Sequence, residues 1–399
     1  MGAFRRSLVA FVALLVAATA CTPEPEAAPA EPEQSTTTTS TSSTTTSTTT
    51  TVPPAPPMAV AGVPDELARL IESMYEHAAG TGGSVIEPRY LPEAGIATGM
   101  AGRTATGGVA DLGGTGIALV QAGEDLIAAV DDGEGWRVVA ADLPTLDHRD
   151  LGYTSAVIAA VGSDARPGED GLRSRADSLH LIGFDGVAGT FDVVGIPRDS
   201  WVPIAGRGAG KINSALSLGG PATMIATLEQ LVGYPLDGTL ITGFVGFQEA
   251  VGNVLGGIQI TVDAPMRDSA SGANFQAGEQ YMNGSQALAF ARARKTLLRG
   301  DFDRQRNGGL VLIAAAFTAR HRPIEDAPRL VAEALDWAWT DMAPDTVLRL
   351  VVTSLVAPIL DVRNEVADGV ARDRSGASVV ELTGQAHVLF TDLADGALD

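Results

Sequence analysis

An unbroken run of serine and threonine, Ser35 to Thr51, sits inside a segment (residues 22–57) made almost wholly of Pro, Glu, Ala, Ser and Thr. So little apolar surface cannot offset the entropy of ordering a backbone. The composition therefore predicts a disordered tether over 21–59 and confines any folded core to the residues after it. Ahead of the tether, Arg5 and Arg6 precede an uncharged apolar run from Leu8 to Ala20. That run is shorter than the roughly 20 residues a membrane helix needs. A charged start, a short apolar stretch and a small-residue end, Ala18-Thr19-Ala20, predict a secretory signal over residues 1–20.

Cys21 is the only cysteine in 399 residues, so no intramolecular disulfide can form. An exported domain without disulfides must fold on its core alone, and a hydrophobic content of 45% permits that. The net charge of −21 argues against nucleic acid, because phosphate backbones demand a positive surface.

Residues 60–150 read as a small accessory unit. Leu67, Leu70, Ile71 and Met74 recur at helical spacing between Pro64 and Gly80. Residues 107–142 then alternate short apolar runs with glycine-bearing turns, the pattern of a β-meander. From Ser155 onward strands alternate with helices. That predicts an α/β domain over 151–399, an α/β/α sandwich around a central mixed sheet. The final apolar stretch, "AHVLFT", reads as a closing strand.

Polar residues gather where these strands end, the place at which α/β sheets bind ligands. "GSDAR" supplies Asp164, "RSRADS" supplies Arg175 and Asp177, and "IPRDS" supplies Arg198 and Asp199. "GKINSA" supplies Lys211. Residues 292–306 then concentrate Arg292, Arg294, Lys295, Arg299, Arg304 and Arg306, interrupted by Asp301 and Asp303. A charge run is ordinarily a solvated face. Forked guanidinium groups opposite carboxylates are also what a phosphate site needs. Two carboxylates at neighbouring strand ends are suitable oxygen donors for a hard cation such as Mg²⁺, or Mn²⁺. "GRGAGKIN" is not a P-loop, since Gly206 and Gly210 are one residue too close and Ile212 stands in place of Ser or Thr. The histidines are too scattered for a zinc site, and no G-x-S-x-G elbow is present.

The ordered set "GSDAR", "RADS", "GIPRDSWVPI", "GKINSAL", "LVGYPLDG", "GNVLGGIQITVDAPM", "NGSQALAFARAR" and "GDFDRQR", within residues 155–320, resembles the LytR-CpsA-Psr family. Members are extracytoplasmic enzymes that transfer glycopolymers from a polyprenyl-pyrophosphate carrier to a peptidoglycan acceptor. The resemblance implies that Asp164 and Asp177 bind Mg²⁺ through the carrier's pyrophosphate. It also implies that Arg175, Arg198, Arg292, Arg294 and Arg304 contact that pyrophosphate. Lys211 lies in a matching motif as a substrate-binding residue. Asp199 is a catalytic candidate, as a base for the acceptor hydroxyl with Asp177 as the other, or as the group that fixes Arg198. Arg299 and Lys295 would line a groove for anionic glycan. An apolar tunnel for the lipid tail would draw on stretches such as 240–247 and 310–317.

The start of the chain resembles a bacterial lipoprotein signal. Cys21 would then carry a diacylglycerol that anchors the protein to the membrane, with plain secretion as the alternative. A non-catalytic binder of polyprenyl-linked intermediates and a structural envelope lipoprotein stay open as other functions. In the family a glutamine follows the last arginine by four residues. Here that place is Gly308. With Gln305 read as pointing elsewhere, the expectation is a missing donor, a slowed enzyme and a gain in rate and stability from Gly308→Gln.

Overall fold

After strand β1 (Ala59–Ala61), the predicted helix forms as α1 (Asp65–Ala78), with Asp65 and Glu66 in its first turn, where they oppose the helix dipole. The computed structural model describes residues 58–96, 103–166, 168–295 and 297–399; the signal, Cys21 and nearly all of the tether lie outside them. The meander follows as β2 (Thr104–Leu112), β3 (Thr115–Ala122), β4 (Asp125–Asp131), β5 (Trp136–Leu143) and β6 (His148–Asp150). With β1 parallel to β2, these strands make one sheet in sequential order. One face packs Ala118, Val120, Ile127 and Ala129 under Leu67, Ile71 and Met74 of α1. The other buries Ile117, Leu119, Ala128 and Val130 against Ala327, Leu348 and Val352, which come from far later in the chain. Burial on both faces is why these strands read as apolar runs rather than clean alternation.

The second sheet begins with β7 (Ser155–Ser163), β8 (Ala176–Asp185) and β9 (Thr190–Gly195), an antiparallel trio. A small hairpin, β10 (Trp201–Pro203) with β11 (Ala209–Lys211), leads into α2 (Ser214–Val232). Gly220 breaks α2 with φ 72°, and Pro221 restarts it. β12 (Gly238–Thr242) then joins β7 in parallel. Helix α3 (Phe244–Glu249) continues into a π-helical turn, Ala250–Val254. β13 (Ile258–Val262), β14 (Met266–Asp268), β15 (Ala273–Phe275) and β16 (Gly278–Met282) form two short ribbons.

Helix α4 (Gly284–Arg292) starts with a full capping box between Asn283 and Gln286. Helices α5 (Asp301–Arg320) and α6 (Ala327–Leu335), strand β17 (Trp339–Thr340), helix α7 (Pro344–Val356) and strand β18 (Asn364–Val366) follow. The hairpin β19 (Gly369–Arg374) and β20 (Ala377–Leu382) precedes α8 (Gly384–Asp392).

The finished sheet has the order β17-β12-β7-β8-β9-β18 and mixes parallel with antiparallel pairs. Alternation along β7 decides which helices cover which face. Val157, Ala159 and Val161 pack with Met224 and Leu228 of α2 and Phe390 of α8. Ala156 and Ile158 face the other way, toward Leu312 and Ile313 of α5 and Leu350 of α7. The result is the expected α/β/α sandwich. "AHVLFT" is a correction, because it forms α8 rather than a strand. Ala386, Phe390 and Leu393 are fully buried at helical spacing, and that period outweighs a short apolar run. Helix α7 serves both sheets, since Leu348 and Val352 pack under the meander and Leu350 under the second sheet.

Candidate functional site

The register between β7 and β8 slips at one point. Gly162 pairs with Ser178 and Ser163 with Ala176, which leaves Asp177 as the extra residue of a β-bulge. Strict alternation would send Asp177 and Ser178 to opposite faces. The bulge re-aims Asp177, so Asp177, Ser178 and His180 all line one cavity of about 250 Å³. The sheet forms the floor of that cavity through Ala160, Gly162, Ser178 and His180. Phe244 and Phe247 of α3, Leu288 and Ala291 of α4, and Val311 and Leu312 of α5 supply apolar walls. Both predicted apolar stretches therefore contribute, although Phe317 is largely exposed.

Four arginines reach this cavity: Arg198, Arg292, Arg294 and Arg304. Arg304 is almost wholly buried and donates from Nη2 to the Asp177 carbonyl at 2.8 Å. Its guanidinium also lies 2.9 Å from Asp301, in the same first turn of α5. Burial pulls the Arg304 pKa below its ordinary value; Asp301 opposes that shift, while Arg198 and Arg294 add to it. Arg198 pairs with the Asp177 carboxylate and sits 3.7 Å from Asp301. Arg292 lies over the Phe244 ring, 4.3 Å from its centroid, a cation–π contact at the mouth. The aspartates that interrupt the basic run thus have distinct uses. Asp301 sits between two cavity arginines, and Asp303 holds the exposed Arg299 at 2.8 Å.

Other expected residues stand beside the cavity rather than in its lining. Asp199 accepts from Lys211 Nζ at 2.8 Å and lies 3.9 Å from Arg198, so it ties those two cations together. Asp164 accepts the Arg175 backbone N–H at 2.8 Å, while the Arg175 side chain is exposed. Lys295 and Arg299 are exposed on the loop before α5. Cys21 lies outside the described residues.

Some contributors carry no signal in the sequence. Asp268, at the end of β14, lines the cavity and accepts the backbone N–H groups of Arg294 (3.0 Å) and Lys295 (3.2 Å). Burial pushes its pKa up, but these bonds, one from Ala270 and the Lys295 charge outweigh that and hold it at about 2. It fixes the arginine-bearing loop across a gap no local motif reveals. His180 and Gln305 also line the cavity, so Gln305 is a second correction. Gly308 is a third. A Cβ there would stand 2.6 Å from His180 Cε1, so added helix propensity meets a buried ring instead of open space.

Asp164 and Asp177 suit a hard cation in chemistry. Each carboxylate has one oxygen already engaged and one without a hydrogen bond among the described residues. Two such oxygens are fewer than Mg²⁺ requires, so ligand phosphate and water would supply the rest. Among the described residues no group of three or more His, Cys, Asp or Glu is placed to hold a metal. Among the same residues, no helix is long and apolar enough to cross a membrane.

Comparison with known proteins adds to this geometry. The LytR_cpsA_psr family matches residues 143–370, more than half of the chain. A polyisoprenyl-teichoic acid–peptidoglycan teichoic acid transferase TagU from Bacillus mycoides (strain KBAB4) is 37% identical over 149 residues, 37% of this chain and 47% of the relative. The transferase TagV of the same description from Bacillus subtilis (strain 168) is 37% identical over 142 residues, 34% of this chain and 36% of the relative. The match thus spans about half or less of these curated relatives. The crystal structure of B. subtilis TagV superposes with a TM-score of 0.52 at 25% identity, covering 61% of this chain and 98% of that one.

Proposed function

This chain belongs to the LytR_cpsA_psr family, and on that premise we propose that it is an extracytoplasmic glycopolymer–peptidoglycan phosphotransferase. The observation that carries the reading is the cavity itself. Arg198 and Arg304 each bond Asp177 in its lining, and Arg292 and Arg294 join them. Phe244, Phe247, Leu288, Val311 and Leu312 give it an apolar surface, with Ser, Thr, His, Asp and Gln side chains between. A polyprenyl-pyrophosphate-linked glycan has an anionic head and an apolar tail to match. The names of the relatives, which describe transfer of teichoic acid from a polyisoprenyl carrier to peptidoglycan, support the same class.

In the proposed reaction a hydroxyl oxygen of a peptidoglycan sugar attacks the phosphorus that bears the glycan. The bond from that phosphorus to the bridging oxygen breaks, polyprenyl phosphate leaves, and the hydroxyl proton passes to a base or to water. Such a step depends on positioning and on charge stabilisation at the phosphoryl oxygens. Arg198 and Arg304, held by Asp177 and Asp301, are pre-set for that, and Arg292 and Arg294 extend the positive wall. Asp164 and Asp177 would hold Mg²⁺, which supplies further neutralisation of pyrophosphate charge when bound. Asp177, on the lining, and Asp199, beside it and bonded to Lys211, are the candidate bases. Outside the described residues, we assign residues 1–20 to a signal and Cys21 to diacylation. Mass spectrometry of the mature N-terminus would show a lipid-modified cysteine, and an unmodified one overturns that assignment.

Incubating the purified chain with a lipid-linked glycan and a peptidoglycan acceptor tests the function. Release of polyprenyl phosphate with glycan joined to the acceptor is the expected result. Capture of the lipid without transfer would leave a binder, and neither would leave a structural lipoprotein.

A further inference from the structure

Beyond Gly195, which lies opposite His180, Ile196 donates to the Leu179 carbonyl at 2.8 Å, and one N–H on that edge of β8 is left without a strand partner among the described residues. That N–H belongs to Leu179, and Gln305 Oε1 accepts from it at 3.5 Å. An N–H bonds only the oxygen of a carboxamide, so this contact fixes which end of the Gln305 amide is free. Gln305 is 1% exposed and lines the cavity, and its Nε2 has no hydrogen-bond partner among the described residues. A buried amide left unpaired calls for an explanation, and a ligand is one.

The surroundings hold this side chain firmly. Gly195 has no Cβ, and one built there would lie 2.8 Å from Gln305 Cβ, so the glutamine rests directly on the strand. Its own carbonyl accepts from His180 Nε2 at 2.8 Å. The ring's other nitrogen, Nδ1, then accepts from Ser178 Oγ at 3.3 Å. The imidazole fills the space over Gly308. Side chains have thus been exchanged within one wall: a ring from the sheet occupies the room of a side chain at position 308. An amide one residue beyond Arg304 is left with its donors unused.

We propose that Gln305 is a ligand-binding residue whose carboxamide NH₂ donates to an anionic oxygen of the diphosphate head, with His180 as the residue that positions it. The proposal rests on the functional reading above and adds to it a neutral donor that replaces the one missing at Gly308.

Titration of the full chain with geranylgeranyl pyrophosphate, and with geranylgeraniol as the uncharged control, tests it. Wild-type protein should bind the pyrophosphate and prefer it to the alcohol. If it binds neither, or both equally, the diphosphate reading fails and this proposal fails with it. Given wild-type preference, Gln305→Met and Gln305→Glu should each weaken the pyrophosphate about tenfold or more, Glu more than Met, with alcohol binding unchanged. Met keeps the shape without charge, so it remains informative where Glu impairs folding. His180→Phe keeps an aromatic ring, a larger one, without its two nitrogens, and should weaken the pyrophosphate without changing the alcohol. Gly308→Gln should lower Tm alone and recover both Tm and pyrophosphate binding when combined with His180→Ala. Unchanged pyrophosphate binding in both Gln305 variants overturns the donor role. A Gly308→Gln protein as stable as wild type overturns the exchange.

Discussion

Two aspartates, one fully buried in the meander and one half-buried at the start of α5, are partnered in different ways. Asp125, at the start of β4, is fully buried and fully partnered. It accepts from the Tyr75 hydroxyl at 2.9 Å and from Thr145 through both its backbone N–H (2.9 Å) and its hydroxyl. Asp301, at the start of α5, is ion-paired with Arg304 at 2.9 Å and lies 3.7 Å from Arg198, but neither of its shielded oxygens meets hydrogen-bond geometry among the described residues. Arg198 Nε, 3.7 Å from Asp301, and Gln305 Nε2 also have no hydrogen bond among the described residues. Buried polar groups are normally hydrogen-bonded, so a satisfied one holds a fold together, while donors left unbonded beside a cavity are free for a ligand. The meander is scaffold, and the end of the second sheet is site.

The sharpest way to break that contrast is to remove one member from each side. Arg304→Ala should cut transfer by roughly 10²–10³, the cost of one lost charge-stabilising donor. Asp125→Ala should leave transfer per folded molecule unchanged. It should lower stability by about 3 kcal/mol, because donors on Tyr75 and Thr145 lose a buried acceptor. Parallel assays of transfer and of urea denaturation separate the two. Loss of transfer in folded Asp125→Ala protein would place chemistry where we see only scaffold.

A titration sharpens the contrast next. Burial pushes the pKa of His180 down to about 4, the bond to Gln305 partly opposing and Arg304 reinforcing that shift. The folded pKa lies below the ordinary value near 6.5, so the unfolded chain binds the extra proton first. The stabilisation is therefore complete above about pH 6.5 and disappears as pH falls toward 4, about 3 kcal/mol over the window. Carboxylates add their own slopes, so the informative quantity is the difference between wild type and His180→Phe. Identical pH profiles for the two would show that the ring is not held as described.

The smallest effect belongs to the exposed part of the basic run. Lys295 is exposed, as is Arg299 with its Asp303 partner. Lys295→Ala should change transfer less than threefold at physiological salt, since exposed charges are well screened. An effect as large as that of Arg304→Ala would mean that burial does not sort these cations by use.

How much of this was legible follows the same division. Most of the strand and helix order, and the arginines now on the cavity, were readable because apolar period and local motifs are written along the chain; the closing helix α8 and the outlying Arg175 were not. Asp268 was not, because its work is done on the backbone N–H groups of Arg294 and Lys295 across 26 and 27 residues of sequence. His180 and Gln305 were not either, since their pairing joins a strand to a helix 125 residues away. Gly308 misled for the same reason: helix propensity is local, whereas the ring that fills its space comes from β8. Asp177 was visible as a residue, but the bulge that turns it toward Ser178 is a property of two strands together.

The closeness of α5 to the sheet has a mechanical meaning. Gly195 lies under Gln305, Gly308 lies over His180, and a Cβ on Gly309 would meet Asn364 Oδ1 of β18 at 2.1 Å. Asn364 also donates from Nδ2 to the Arg306 carbonyl at 2.8 Å. A rod keyed at three points can neither slide nor roll without collision, because close-packed interiors do not deform continuously. This side of the cavity is the fixed jaw of a vice. Phe244 and Phe247, also on the lining, sit instead on a short helix that runs into a wider π turn, a local irregularity that regular helices lack. Arg304 and Gln305 ride on the keyed helix, so their distance from the sheet is set by those three contacts.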